Sequence, residues 1–199
     1  MVVCVNGGTA KEVAGTWAAT LEWLVRRLAP GFPALSFVEV RYRVKSWNRL
    51  DSCIEDCRAA VDLAAGEGAE EVALLGFSMG GAVAIAAAGH PLVSTVIGLA
   101  PWIPERLEVA GLRGRRLAIV HGALDRPLPG IPGVSAKSSL AGFDRIRALG
   151  VDATYTVVPA GLHGVALRSP RGGLVTLPRA DRWATLVAAE LGRFSAEKG

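Results

Sequence analysis

The serine at position 78 lies between two glycines at the spacing Gly-x-Ser-x-Gly. It follows the apolar run 72–77 and precedes a segment of small and aliphatic residues, 82–88. A strand that reverses sharply into a helix needs glycine wherever a Cβ atom would collide with backbone, and the reversal lifts the serine hydroxyl above the sheet edge. This pattern predicts that Ser78 is a nucleophile at the start of a tightly packed helix.

A serine hydroxyl is a weak nucleophile at neutral pH and needs an imidazole base, which a carboxylate in turn orients. The sequence offers three histidines. His163 lies in a loop just after the last predicted strand, where a base belongs. His90 ends the helix after Ser78, and His121 ends a strand before Gly122, where a structural role in the turn is the favoured interpretation. We therefore predict that His163 is the base.

Asp125 is the predicted acid because it lies four residues beyond His121, past the end of the same strand. There a carboxylate can accept a hydrogen bond from the imidazole of His163. The alternative role for Asp125 is an ordinary turn stabilised by its own backbone. Glu105, after the preceding strand, is the substitute acid.

Hydrophobic periodicity predicts short strands that alternate with helices. The strands are expected at 2–5, 35–40, 72–77, 93–99, 117–120 and 153–158. Such alternation implies an α/β protein, a three-layer αβα sandwich around a mostly parallel six-stranded sheet. Ligands bind beyond the carboxyl ends of the strands in such sheets.

Two capping boxes mark the predicted starts of the first two helices, Thr9 with Glu12 and Ser52 with Glu55. The first helix is expected to carry its apolar face from Val13 to Leu28. Later helices are expected after Ser78, over 138–150 and around 183–194. The glycine-containing segment 168–178 is interpreted as a surface loop rather than a mobile flap.

The composition favours one globular domain over residues 1–199, with 51% hydrophobic and 20% charged residues. The net charge of +4 is spread over many loops, and aromatic residues are only 6%, which argues against nucleic-acid binding. No apolar run is long enough for a membrane span, and no secretion signal is recognisable. The partner expected is a small-molecule substrate, and the oligomeric state is left open.

The three cysteines, Cys4, Cys53 and Cys57, form a poor disulfide framework. Reduced thiols in the cytoplasm are the expected state. No histidine or further cysteine lies at metal-ligand spacing, so neither a metal nor a cofactor is expected.

The segments GFSMGG, HGALDRP and GLHG resemble, in this order, the nucleophile elbow, acid loop and histidine loop of the α/β-hydrolase superfamily. The resemblance covers nearly the whole chain and is greatest to small cap-less members of the dienelactone-hydrolase or carboxylesterase type. It implies a minimal α/β-hydrolase fold that begins at the third strand of larger members. Without a cap domain, the site is expected to be open.

The resemblance also implies an oxyanion hole, formed by the backbone N–H groups of Met79 and of a residue in the NGGTA segment. Gly8 occupies the donor position, with Thr9 as the second choice. Asn6 stands where the family usually has histidine, but the donor is main chain and should survive that change.

The function expected is that of a serine hydrolase, which cleaves a small carboxylic ester, thioester or lactone through an acyl-enzyme on Ser78. A C–C bond hydrolase or a cofactor-free perhydrolase would use the same residues. A hydrolase-like fold that binds a ligand without turnover is the alternative from another class.

Substrate-binding residues are expected in the loops that follow the strands. Trp102 is a candidate pocket wall, with core packing as the equal alternative. Arg43 and Trp47 belong to a basic loop, 41–49, that either binds a substrate anion or anchors the loop at a solvated face.

Overall fold

The computed structural model describes residues 1–13, 17–127 and 133–196. Six strands of this part of the chain form one sheet: β1 (Val2–Val5), β2 (Phe37–Glu39), β3 (Val72–Phe77), β4 (Val93–Leu99), β5 (Arg116–Gly122) and β6 (Asp152–Val158). Their spatial order is β2-β1-β3-β4-β5-β6, and every neighbouring pair is parallel. The carboxyl ends of all six strands therefore meet at one edge.

Five α-helices cover the sheet: α1 (Ala19–Leu28), α2 (Leu50–Gly66), α3 (Met79–Ala87), α4 (Ala136–Arg147) and α5 (Ala180–Ala196). Residues of α2, α3 and α4 pack in one hydrophobic cluster, and residues of α1 and α5 pack in a second. Successive strand residues point to opposite faces, so Val3 and Val5 of β1 join the first cluster while Val2 and Cys4 join the second. The predicted three-layer αβα sandwich is confirmed.

The first helix begins at Ala19 and not near Val13, contrary to the capping-box prediction. Val13 instead forms an antiparallel bridge with Lys45. The helix entry is fixed by a residue distant in sequence, because the Asn6 side-chain oxygen accepts the Ala18 N–H at 2.8 Å. The prediction that Thr9 caps this helix is wrong for that reason.

The second capping box is also wrong, since α2 begins at Leu50 and Ser52 lies inside the helix. A short 3-10 turn at Trp47–Arg49 precedes α2, and Ser46 caps that turn by accepting the N–H of Asn48.

After β6 the chain forms an antiparallel hairpin, β7 (Ala166–Arg168) with β8 (Leu174–Thr176), where a plain surface loop was expected.

Within the described residues, no helix combines the length and apolar character that crossing a membrane requires.

Cys4, Cys53 and Cys57 are all buried and unpaired. Burial raises the pKa of the Cys57 thiol to about 12, which keeps it protonated and unreactive at neutral pH.

The indole of Trp183 anchors α5 to the sheet, so its truncation should destabilise the protein. Trp183 is 0% exposed, and we expect Trp183→Ala to lower the free energy of unfolding by about 3–5 kcal/mol in urea titrations. Leu63→Ala is the control, because Leu63 is 70% exposed and its loss should cost less than about 0.5 kcal/mol. Equal losses in the two variants would contradict the assigned packing.

Candidate active site

Ser78 occupies the sharp turn between β3 and α3, with φ 55° and ψ −119°. A non-glycine residue at positive φ costs on the order of 1–3 kcal/mol, so the surroundings must hold it there. The Ser78 N–H donates to the Leu99 carbonyl at 2.9 Å, and the Ser78 carbonyl accepts from Gly81 and Trp102 at 3.0 and 3.1 Å. These bonds to β4, to α3 and to the segment after β4 hold the Ser78 backbone in this conformation.

The two glycines that flank Ser78 are required by close packing. A Cβ atom on Gly76 would lie 2.4 Å from the Gly80 carbonyl oxygen, and one on Gly80 would lie 2.0 Å from the Val5 carbonyl oxygen. Both contacts involve backbone, which cannot move aside. The structure thus supplies the steric reason for the Gly-x-Ser-x-Gly spacing.

The predicted base and acid are in direct contact. His163 Nδ1 lies 2.7 Å from Asp125 Oδ2, and both residues are almost fully buried, with 7% and 6% exposed. Because the carboxylate accepts from Nδ1, the neutral ring carries its proton there and keeps Nε2 as the acceptor. His163 and Ser78 line one cavity, although no hydrogen bond joins the serine hydroxyl to the ring within the described residues. Catalytic hydrogen bonds are often long without substrate and tighten when it binds.

A second histidine contacts the same carboxylate. His121 Nε2 lies 3.1 Å from Asp125 Oδ2 and 2.9 Å from the Val134 carbonyl oxygen. Asp125 Oδ1 accepts the Val134 N–H at 3.0 Å. Burial by itself would raise the pKa of Asp125, but the hydrogen bonds from His121 and His163 outweigh it and hold that pKa below its ordinary value.

The loop after β1 brings Gly8 beside the start of α3. A Cβ atom on Gly8 would lie 2.4 Å from both Met79 Sδ and Trp47 Cδ1, so the loop packs against these side chains as closely as glycine permits. Met79 is the first residue of α3, and its N–H has no acceptor within the helix. The two predicted oxyanion donors thus belong to backbone segments that meet beside Ser78.

Asn6 holds this loop in place, a role that sequence reasoning missed. Its amide nitrogen donates to Glu39 Oε1 at 2.8 Å and to the Val40 carbonyl at 3.2 Å, while its backbone carbonyl accepts from the Tyr42 hydroxyl at 2.9 Å. The buried Asn6 therefore joins β1 to the segment after β2 and, through Ala18, to α1.

Two cavities meet at Ser78. The first, here called the tryptophan cavity, has a volume of about 260 Å³ and is lined by Trp47, Ser78, Met79, Trp102, Gly133 and Val134. The second, here called the histidine cavity, has a volume of about 160 Å³ and includes Gly8, Phe77, Ser78, His163, Leu167 and Arg168 in its lining. Among the described residues, Ser78 lies in the lining of both cavities.

The structure places Trp47 and Trp102 in the lining of the tryptophan cavity, which does not include Arg43. The Arg43 guanidinium is exposed and pairs with Glu55 at 2.9 Å, and it also bonds Asp56, both in α2. These carboxylates raise the pKa of Arg43 and accept hydrogen bonds from its Nε and Nη2. Arg43 is thus not among the residues that line the two cavities at Ser78, and its role as a substrate ligand stays a prediction.

Other features of the described chain lie apart from this constellation. A cavity of about 660 Å³ also touches Trp47, but it is lined by charged side chains of α2 and residues 106–108 and contains none of the three candidate residues. Glu105, the substitute acid, lines another cavity with α4. Among the described residues, no three histidine, cysteine or acidic side chains are grouped closely enough to hold a metal ion.

The contact between His121 and Asp125 had a sequence signal that went unused. The two residues flank a tight turn, in which the Asp125 N–H donates to the Gly122 carbonyl at 3.1 Å. A tight turn returns its ends to each other, so a histidine at its start can reach an aspartate at its end. No comparable signal marked Val134, which comes from beyond the turn.

Comparison with known proteins identifies the fold. No protein-family model matches the chain, and no curated protein sequence is detectably similar. Among solved structures, a sugar hydrolase (YeeB) from Lactococcus lactis is similar at TM-score 0.70 and 21% identity, covering 98% of this chain and 89% of that one. An alpha-beta serine hydrolase homologue from Coxiella burnetii is similar at TM-score 0.66 and 18% identity, over 96% and 83% of the two chains.

Esterase PE8 is a third similar structure, at TM-score 0.62 and 18% identity, over 94% of this chain and 90% of that one. Likeness at these identities establishes architecture and not activity. The chain therefore has the α/β-hydrolase fold, as its motifs predicted.

The lowered pKa of Asp125 predicts how the stability of the folded protein depends on pH. Because the pKa of Asp125 is lowered in the folded protein, its charge stabilises the fold above the ordinary Asp pKa of about 3.9, and this stabilisation is lost as pH falls below that value. We expect Asp125→Asn to lower the free energy of unfolding at pH 7 and to flatten its decline in acid, measured by urea titration across pH.

Asp144→Asn is the matched control, since Asp144 is exposed on α4. It should change stability by less than about 0.5 kcal/mol and keep the wild-type acid dependence. An unaltered acid dependence in Asp125→Asn would show that this carboxylate is not ionised and hydrogen-bonded as described.

Proposed function

We propose that the protein is a serine hydrolase that cleaves small carboxylic esters, thioesters or lactones through an acyl-enzyme on Ser78. The observation that carries the proposal is the buried contact between His163 Nδ1 and Asp125 Oδ2, at 2.7 Å. His163 also lines the same cavity as Ser78, whose backbone has a strained positive φ. The hydrolase and esterase names of the three similar structures support the same class. We propose the cytoplasm as its location because all three cysteines are unpaired.

In the acylation step, His163 Nε2 takes the Ser78 hydroxyl proton as the serine oxygen bonds the substrate carbonyl carbon. The negative charge that develops on the carbonyl oxygen is received by the N–H groups of Gly8 and Met79. Removal of one such donor typically costs about 10²–10³ in rate. The tetrahedral species then collapses, the carbon–heteroatom bond breaks, and His163 returns the proton to the leaving group.

In the deacylation step, His163 takes a proton from water as the water oxygen attacks the acyl carbon. The Ser78–acyl bond breaks, His163 protonates the serine oxygen, and the carboxylic acid is released. Asp125 remains ionised throughout and holds the imidazole in the required tautomer. A C–C bond hydrolase or a perhydrolase would use the same three residues with a different bond or a different nucleophile in the second step.

A fluorophosphonate probe with mass spectrometry, together with hydrolysis of p-nitrophenyl butyrate, tests the proposal. We expect covalent labelling of Ser78 in the wild type and none in Ser78→Ala or His163→Ala. The kcat of both variants should fall by roughly 10⁴-fold or more, because the nucleophile and base act as one unit. Ser138→Ala, at an exposed serine of α4, should keep wild-type labelling and rate.

Folded wild-type protein that is neither labelled nor active would favour the alternative of a ligand-binding module.

A further inference from the structure

We infer that the tryptophan cavity holds the acyl group of the substrate and that the histidine cavity holds the leaving group, which makes esters of short, uncharged, apolar carboxylic acids the substrate class. This inference rests on the proposed function, because it assigns the two sides of the bond that Ser78 would cleave. The two cavities meet at Ser78, but His163 lines only one of them.

The position of His163 decides which cavity receives the leaving group. The leaving oxygen must lie within hydrogen-bond reach of the imidazole that protonates it. That oxygen therefore departs on the histidine side. The water for deacylation must be deprotonated by the same ring, so it approaches through the space that the leaving group has vacated.

The acyl group stays bonded to Ser78 while this water enters, so it must lie where it does not cover His163. The tryptophan cavity meets that condition. The described residues that line it are Trp47, Ser78, Met79, Trp102, Gly133 and Val134, none of which has a charged side chain. An ionised acyl chain would lose hydration there without gaining a partner.

The size of the tryptophan cavity limits the length of the acyl chain. Its volume of about 260 Å³ is below the ~300–1,000 Å³ typical of pockets for drug-sized ligands.

The histidine cavity has Arg168 in its lining, but the Arg168 guanidinium is hydrogen-bonded to Glu22 and to the Gly172 carbonyl. We therefore do not expect this arginine to select negatively charged leaving groups.

Two ester series separate the cavities. The first keeps p-nitrophenol as leaving group and varies the acyl chain from acetate to decanoate, and the second keeps the acetyl group and varies the alcohol. We expect Trp102→Ala to raise kcat/KM for the long acyl esters relative to acetate by about tenfold or more, since 1.4 kcal/mol of relieved exclusion is a factor of ten. Its alcohol selectivity should remain that of the wild type.

Leu167→Ala, in the lining of the histidine cavity, is the matched control and should change only the alcohol series. The reverse pattern, with Trp102→Ala altering alcohol preference and sparing acyl preference, would overturn the assignment while leaving the serine hydrolase intact. Absence of both ester hydrolysis and Ser78 labelling in folded wild-type protein would overturn the proposed function itself.

A second inference comes independently from the turn after β5: we propose that His121 is a positioning residue that holds Asp125 and the tryptophan-cavity wall together. His121 Nε2 faces two oxygens, Asp125 Oδ2 and the Val134 carbonyl, so it carries the proton and donates to both. The buried Nδ1 has no hydrogen-bond partner among the described residues. The ring therefore acts as a donor through Nε2.

The backbone of Val134 completes this arrangement. Its carbonyl accepts from His121 while its N–H donates to Asp125 Oδ1. Gly133 packs so closely that a Cβ atom would lie 2.8 Å from Asp125 Oδ1. Since residues 133 and 134 also line the tryptophan cavity, one imidazole connects the acid to the pocket wall.

The surroundings of His121 explain why its donor matters more than its charge. The ring is 0% exposed and stacks on Tyr155 of β6, with centroids 6.0 Å apart. The titratable groups beside it are Tyr155 and Asp125, and His163 lies across the shared carboxylate. Removing the donor leaves the buried Asp125 carboxylate one hydrogen bond short, so it is held less firmly and orients His163 less well, which lowers kcat. The same carboxylate then stabilises protonated His163 more strongly, which moves the acidic limb of the rate profile to higher pH.

Three substitutions at position 121 test the role of the donor. Glutamine can place an amide N–H near the position of Nε2, whereas asparagine places its amide near Nδ1, where the structure offers no partner. Leucine has no donor. We expect His121→Leu and His121→Asn to lower kcat by about tenfold or more, with KM changed less, and to move the acidic limb of the kcat/KM profile to higher pH. His121→Gln should recover most of both.

Rates are normalised to the fraction of protein that the fluorophosphonate probe labels, so misfolded protein does not count. A purely structural His121 would lower the melting temperature in all three variants and leave the normalised kcat and the pH profile unchanged. That result, or a folded His121→Gln no better than His121→Asn, would overturn the proposal.

Discussion

The turn from β3 into α3 passes so close to the end of β1 that Gly80 has no room for a Cβ atom, and it folds back so tightly that a Cβ on Gly76 would collide with the backbone of Gly80. This contact is possible because β1 and β3 are adjacent and in register, with Val5 opposite Gly76. It sets the height of Ser78 above the sheet edge and the distance from α3 to the loop that carries Gly8. The candidate site therefore depends first on how tightly two backbone segments can pack.

The strain at Ser78 is supported from the other side of the turn. Its N–H is bonded to the last residue of β4, and its carbonyl to the N–H of Trp102. The bond that stabilises the strained residue thus also places Trp102, a wall of the tryptophan cavity. The geometry of Ser78 and the shape of this cavity depend on the same backbone hydrogen bonds, so an insertion between Leu99 and Trp102 would disturb both.

Burial explains why the Asp125 carboxylate needs more than one donor. A buried charge is costly unless it is hydrogen-bonded, and Asp125 has two imidazoles and one backbone N–H around it. The same donors hold the segment that closes the tryptophan cavity. The carboxylate that contacts His163 is in this way also tied, directly and through His121, to the backbone of Val134 at the wall of the tryptophan cavity.

The sequence by itself predicted the six strands, their alternation with helices, and the spacing of the motifs at the carboxyl edge of the sheet. These features depend on the local spacing of apolar residues and on glycines that close packing requires, so they can be predicted from the sequence alone. The start of α1, the role of Asn6 and the sequestration of Arg43 by α2 were not recoverable. Each depends on a partner brought from a distant part of the chain.

The identities of Ser78, Asp125 and His163 could likewise be proposed from residue type and order, because each follows a predicted strand. Only the tertiary structure decided that His121 shares the acid and that two separate cavities meet at the serine. Hydrogen-bond partners and cavity walls are set by which side chains converge in space, and the order of residues along a chain does not specify that convergence.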